Sequence, residues 1–143
     1  MKKLVPTFAF TSNLYRYNLL RVIVAPVAAA LYRRTEIFAS SLDHHHSFVV
    51  HYANKGGDLD LDMHHDASEV TLNVCLGKEF TGAGLRFCGR FGGASHRKST
   101  CVLSHVPGRA VMHLGRQRHG ADSIASGERL NLILWARSSV GLG

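Results

Sequence analysis

Cysteine is scarce in this chain of 143 residues: there are three, an odd number, with no Cys-x-x-Cys pair among Cys75, Cys88 and Cys101. That argues against a disulfide framework and a structural zinc site, and for buried free thiols in a reducing compartment. Acidic residues are missing from the start. Residues 1–35 hold Lys2, Lys3, Arg16, Arg21, Arg33 and Arg34 and no Asp or Glu, so six of the seven net positive charges lie there. The remainder is nearly neutral, which leaves no basic face to favour a nucleic-acid partner. Long apolar runs are also lacking. Leu19–Leu31 is interrupted by Arg21 and Pro26 and is too short to cross a bilayer, so no transmembrane segment is expected.

Repeats and low-complexity linkers are absent as well, which gives a single domain over 1–143, with a basic N-terminal segment 1–35 and a β-barrel core 45–138. Hydrophobic residues make up 45% of the chain, enough for one modest core. The acid-free, hydroxyl-containing start has the composition of a mitochondrial transit peptide. The spacing of Leu19, Leu20, Ile23, Val27 and Leu31 favours instead an amphipathic helix packed on the outside of a sheet. A cytoplasmic location is expected, with a mitochondrial one left open.

From about residue 47 the pattern becomes extended. Ser47–Tyr52 is a β-branched and aromatic run ended by the turn signal Asn54-Lys55-Gly56-Gly57. Ser68–Leu76 alternates Val70, Leu72, Val74 and Leu76 with Glu69, Thr71, Asn73 and Cys75, the period of a strand. Leu85–Cys88, Arg109–His113 and Leu130–Ala136 are further short strands. A helix at the start and strands thereafter predict a mainly β barrel or sandwich with a helical flank.

His64, His65 and Asp66 precede the clearest strand. In an extended chain residues i and i+2 share a side, so His64 and Asp66 project together and His65 points away. With one distant histidine they would form a 2-His-1-carboxylate set that leaves metal positions open. Alone, a His-x-Asp triplet in a chain with ten histidines is better explained by a hydrogen-bonded turn. Downstream, His119 stands ten residues before Arg129, which follows a turn at Ser126-Gly127 and enters the apolar strand 130–136. A guanidinium there needs an anion; a dicarboxylic acid or a protein carboxylate would each serve.

The combination of His64, Asp66, His119 and Arg129 resembles the 2-oxoglutarate/Fe(II)-dependent dioxygenases of the prolyl 4-hydroxylase and lysyl hydroxylase type. The stretches Glu69–Gly82 and Ser126–Leu132 are most similar to the 2-oxoglutarate and iron-dependent oxygenase domain-containing protein 2 group. The resemblance, over roughly residues 20–138, implies a double-stranded β-helix, or jelly roll. It implies that His64, Asp66 and His119 bind Fe(II) and that Arg129 pairs with the distal carboxylate of 2-oxoglutarate. Tyr52 and Asn73 are further candidate co-substrate contacts. The implied reaction is O2-dependent hydroxylation of a peptidyl lysine- or proline-like side chain, or of a small molecule, with release of succinate and CO2 and support from ascorbate. Family members often carry Pro where Ser123 stands, and have a longer N-terminal region. That second departure motivates an alternative, a catalytically impaired or truncated member acting as a metal- or partner-binding module. A cupin-like or zinc-dependent protein on a similar barrel is a third reading.

Other features receive plainer readings. Asp43-His44-His45-His46 is expected to be a solvated turn before a strand. His113 is the main rival for the third ligand. Gly82–Gly93 is expected to be a hairpin, and Trp135 to be core. The loop Gly92–Thr100, with His96, Arg97 and Lys98, is taken as solvated.

Overall fold

The computed structural model describes residues 18–55, 60–98 and 101–140. The charged start over residues 1–17, Gly56 and Gly57 of the expected turn, and the end of the loop at residues 99 and 100 lie outside them. Among the described residues nine strands follow a short helical segment: β1 (His44–Ala53), β2 (Leu61–His64), β3 (Val70–Gly77), β4 (Phe80–Gly82), β5 (Leu85–Arg90), β6 (Cys101–Leu103), β7 (Ala110–Leu114), β8 (Gln117–Ala121) and β9 (Ile124–Arg137). They form two antiparallel sheets, β1-β9-β3-β7 with β4 added on β9, and β2-β8-β5-β6. The architecture is a double-stranded β-helix with an N-terminal helical flank.

The period-2 rule sorts the large sheet into two faces. Val70, Leu114, Leu134 and Ala136 share one apolar cluster with Leu20, Val24, Ala28, Ile37 and Leu42 on the outside. A second cluster of Tyr52, Ala83, Leu85, Ala121 and Ile124 lies between the sheets. Thr71, Asn73 and Cys75 of β3 are buried although they occupy the more polar register, whereas Leu76 is exposed.

The helical flank forms, but not with the expected face. Leu19–Val24 is π-helical and runs into α1 (Ala25–Leu31), with Pro26 in the first turn. A π turn closes i to i+5 rather than i to i+4, so its apolar stripe drifts from the 3.6-residue template. Leu20, Val24 and Ala28 are buried, while Ile23, Val27 and Leu31 are exposed. The Tyr32 hydroxyl then donates to the Met112 carbonyl at 3.0 Å, tying the helix end to β7.

Four more expectations need correction. His44–His46 belong to β1 rather than to a turn, paired with Trp135–Arg137 of β9. Gly82–Gly93 is not a hairpin: β4 pairs with β9, whereas β5 pairs with β6 and β8 in the other sheet. No turn interrupts Ser126-Gly127, because β9 runs through it; Gly127 has φ +76°, and a Cβ there would strike the Glu79 backbone. Cys75 and Cys88 are buried thiols as expected, but Cys101 is exposed on β6, the last strand in its sheet's order.

Candidate metal centre

Antiparallel pairing of β2 with β8 sets His64 directly opposite His119, so two imidazoles distant in sequence become cross-strand neighbours. Their ring centroids are 4.4 Å apart. Asp66 sits just past β2, where its N–H donates to the Gly115 carbonyl at 2.8 Å. A side chain at Gly115 would collide with Ser68, so glycine is what lets this loop close on the β7–β8 turn. The Thr71 hydroxyl donates to Asp66 Oδ2 at 2.6 Å and fixes the carboxylate from β3. Thr71 escaped the sequence reading; its inward register on β3 was the available signal.

The ligand atoms of His64, Asp66 and His119 all lie within 4.8 Å of one another. His64 Nε2 is 3.4 Å from Asp66 Oδ1, and His119 Nε2 is 3.6 Å from Oδ2. His64 Nδ1 contacts the Asp62 carbonyl at 2.7 Å, and His119 Nδ1 the Gln117 carbonyl at 2.9 Å. A carbonyl only accepts, so each Nδ1 carries the proton, and Nε2 is the nitrogen that faces the carboxylate and offers a lone pair when the ring is neutral. This tautomer, held by a backbone acceptor, is the one metal-ligating histidines adopt.

The charge states agree. Burial, then repulsion from His113, pushes the His119 pKa down to about 4, against the pull of Asp66 and Gln117. Burial alone would raise Asp66, but its interactions with His64, His119, the Thr71 hydroxyl and His113 outweigh it, and the net shift is downward. A neutral His119 ring beside the ionised Asp66, with His64 Nε2 on the same carboxylate, is a donor set that a divalent cation satisfies. Iron(II) fits this donor set.

These residues open on a cavity of about 380 Å³. Phe48, Val50, Leu85, Ile133 and Trp135 give it apolar walls, and Tyr52 and Asn73 line it too. Trp135 is thus cavity wall rather than core. Asn73 Oδ1 accepts from Asn131 Nδ2 at 2.8 Å, which orients its amide. His65 stays out of the ligand group and stacks on Phe91 at 4.4 Å, at the cavity's edge.

Arg129 is 0% exposed. Its guanidinium lies 4.4 Å over the Tyr52 ring and 5.6 Å from that of Phe80, and Nη1 donates to the Ala83 carbonyl. Nε and Nη2 are buried with no hydrogen-bond partner, and among the described residues no carboxylate forms an ion pair with it. The protein-carboxylate alternative therefore has no support there, and a carboxylate ligand fits the orphaned nitrogens. Arg129 does not line the cavity directly; the Tyr52 ring on which it stacks does.

No family model matches the chain. It is 46% identical over 137 residues, 92% of its length, to the Arabidopsis thaliana 2-oxoglutarate and iron-dependent oxygenase domain-containing protein ICU11. It is 46% identical over 114 residues, 80% of its length, to the Mus musculus 2-oxoglutarate and iron-dependent oxygenase domain-containing protein 2. The chain spans about a third of the length of these relatives (33% and 32%). Among solved structures it is similar to a Pseudomonas putida prolyl-4-hydroxylase, with TM-score 0.54 and 20% identity over 68% of this chain and 54% of that one. A Phytophthora capsici prolyl 4-hydroxylase gives TM-score 0.58 at 15% identity over 88% of this chain and 41% of that one. At such identities the structures speak for the fold alone. Over the matched stretch the chain is a homologue of proteins named as 2-oxoglutarate and iron-dependent oxygenase domain-containing proteins.

Proposed function

We propose that this chain is the catalytic domain of a 2-oxoglutarate- and O2-dependent Fe(II) dioxygenase that hydroxylates a lysine- or proline-like side chain of a peptide. The observation that carries the reading is the convergence of His64, Asp66 and His119 at a cavity whose wall backs onto the fully buried, anion-free guanidinium of Arg129. When bound, iron and 2-oxoglutarate supply the oxidation: one oxygen atom of O2 enters a substrate C–H bond, the other enters succinate, and CO2 leaves.

The protein's part is positional. His64, Asp66 and His119 hold the iron, and their Nδ1–H and Thr71 contacts fix the donors before it arrives. Arg129 takes the distal carboxylate of 2-oxoglutarate, with Tyr52 and Asn73 as further contacts along the cavity. Phe48, Val50, Leu85 and Ile133 keep the cavity dry, which strengthens every charge interaction inside it. Ascorbate supports turnover by keeping iron reduced. A peptide substrate is the class printed for one structural neighbour, a Trichoplax adhaerens prolyl hydroxylase in complex with a hypoxia inducible factor peptide fragment, at 16% identity. The free thiols of Cys75, Cys88 and Cys101 fit a reducing, cytoplasmic setting. Among the described residues no helix is long and apolar enough to cross a membrane.

The test is release of labelled CO2 from 2-oxoglutarate carrying the label at C1, with Fe(II) and O2, in the absence of peptide. We expect slow release that the His119→Ala variant abolishes. A folded, iron-loaded sample that releases none would overturn the reading. A second reading, a metal- and partner-binding module without turnover, is favoured by one feature: Arg129 sits behind Tyr52 rather than on the cavity surface. Iron binding with no decarboxylation would select it.

A further inference from the structure

We propose that the surface beside the cavity mouth docks an acidic flank of the peptide substrate, with Phe91 as its apolar anchor and Arg97, Lys98 and Arg116 as its cations. The inference rests on the peptide-hydroxylase reading above and narrows its substrate class. The surface begins at His65, which lines the cavity and stands in sequence between the ligands His64 and Asp66. The His65 ring stacks on Phe91 at 4.4 Å, 19° from parallel, and His96 approaches the same ring at 6.1 Å. Phe91 is nonetheless 56% exposed. Its N–H donates to the Arg116 carbonyl at 2.7 Å, and the adjacent Gly115 carbonyl accepts from the Asp66 N–H. Phe91, through His65, and Arg116, through Gly115, are thus each one contact from the segment that carries the metal centre. A single exposed aromatic needs no explanation by itself. This one is clamped between two imidazoles at a cavity edge, and a ring already held in place costs a partner little ordering.

The cations around it differ from their neighbours. Arg86 and Arg90 on β5 find carboxylates in Asp122 and Glu36. Arg97 and Lys98 are exposed in the loop that carries His96, and Arg116 is exposed on the β7–β8 turn. Among the described residues no carboxylate forms an ion pair with any of these three. The loop itself is folded rather than simply solvated: the His96 and Lys98 N–H groups donate to the Gly93 and Ser95 carbonyls at 3.2 and 3.0 Å.

The opposite end of β2 has the other sign. Asp60 and Asp62 are exposed there, and Asp60 lines the cavity. Arg86, which shares a concavity with both, is already held by Asp122. A nucleic-acid strand carries a negative charge at every step and needs cations along its whole path; Asp60 and Asp62 would repel it. A peptide can be acidic on one flank alone, so a mouth of two signs selects a peptide and sets its direction across β2. Extended chain advances about 3.3 Å per residue, which puts the acidic positions roughly two to four residues from the hydroxylated one.

The test measures, by fluorescence anisotropy, the binding of labelled peptides to the full chain. They share a central lysine or proline and differ only in one flank, N- or C-terminal, built from Glu, Gln or Lys. We expect a Glu flank on one side to bind about tenfold tighter than Gln, as befits three exposed ion pairs. The Lys flank should bind weakest, and the preference should shrink as salt rises. An Arg97→Gln, Lys98→Gln, Arg116→Gln triple variant, changed only at exposed positions, should lose the preference while peptide-free CO2 release stays at the wild-type level. Phe91→Ser should weaken all the peptides alike. Equal binding of the Glu and Gln peptides, or a preference that survives the triple variant, would overturn the inference. So would tighter binding of a single-stranded oligothymidylate than of the Glu peptide, which would make a nucleic acid the occupant. Absence of CO2 release with the Glu preference intact would instead remove the hydroxylase reading and leave the acidic-peptide surface standing.

Discussion

The two faces of the large sheet are made from the same strands and do opposite work. On β9, Leu134 and Ala136 turn outward into a dry cluster with the helical segment, whereas Arg129, Asn131, Ile133 and Trp135 occupy the other register. On β3, Val70 turns outward and Thr71 and Asn73 inward. On β7, Leu114 turns outward and His113 inward. The outer face has the usual logic of a core, in which apolar area leaves water. The inner face is buried nearly as well but holds a guanidinium, two amides, a hydroxyl and imidazoles, several with unmatched nitrogens or oxygens. A protein keeps such groups buried where a ligand completes them. The outer face contributes stability, and the inner face contributes binding.

The largest expected break in that division is His119→Ala. It removes a proposed metal ligand that β8 of the other sheet brings to the Asp66 carboxylate, so Fe(II) binding and 2-oxoglutarate decarboxylation should fall to background while thermal unfolding of the metal-free protein changes little. Leu134→Ala is the counterpart on the outer face. Leu134 is 1% exposed, and truncating a buried leucine costs about 2–5 kcal/mol. Urea unfolding should show that loss, with metal affinity of the folded fraction unchanged. If Leu134→Ala abolished metal binding without lowering stability, the division of labour between the faces would be wrong.

Arg129→Leu should move the two quantities in opposite directions. Without co-substrate the guanidinium is a desolvated charge with two unmatched nitrogens, so an apolar replacement should leave stability unchanged or raise it by about 1 kcal/mol. On the proposed reading the same change removes a charge-assisted contact to 2-oxoglutarate, about 1.5–3 kcal/mol, and should weaken co-substrate binding by roughly ten- to a hundredfold. Calorimetric titration of the iron-loaded protein with 2-oxoglutarate, alongside thermal unfolding, reads both. A variant that lost stability and kept its affinity would place Arg129 among the structural residues.

What the sequence made legible was the part governed by local periodicity. His64 and Asp66 two residues apart in extended chain, the alternation along β3 and the apolar run in β9 all follow from the two-residue period. The helix face was misassigned because the π turns at Leu19–Val24 break the 3.6-residue template. β8 went unseen because Gln-Arg-His-Gly-Ala has no apolar alternation; its placement comes from pairing with β2 and β5. The kink at Gly127 and the turn expected there look alike in sequence, and only contact with the Glu79 backbone distinguishes them. On β3 the apolar register points at the helix and the more polar one into the cavity, so hydrophobicity alone marks the wrong face as the functional interior.

The smallest expected effect is a pH dependence confined to the inner face. His105 lies within 3.2 Å of the Asn131 amide. Burial, followed by repulsion from Arg129, lowers its pKa below 6.5. In the unfolded chain the ring takes up its proton as pH falls through about 6.5, while in the folded protein it resists. The unfolded state then binds more protons, so stability falls as pH drops below 6.5, with a limiting slope of about 1.4 kcal/mol per pH unit for one group. The His105→Gln variant should flatten the acid limb measured by urea unfolding in this window. Arg129→Leu should act on the same limb by removing the repulsion, letting the His105 pKa rise toward its ordinary value in a titration followed by ring-proton chemical shifts. An outer-face change such as Leu134→Ala should lower stability equally at every pH, because it touches no titrating group. A His105 pKa indifferent to Arg129→Leu would mean that the guanidinium's charge is already neutralised by a group outside the described residues, and the anion-free reading of Arg129 would fall with it.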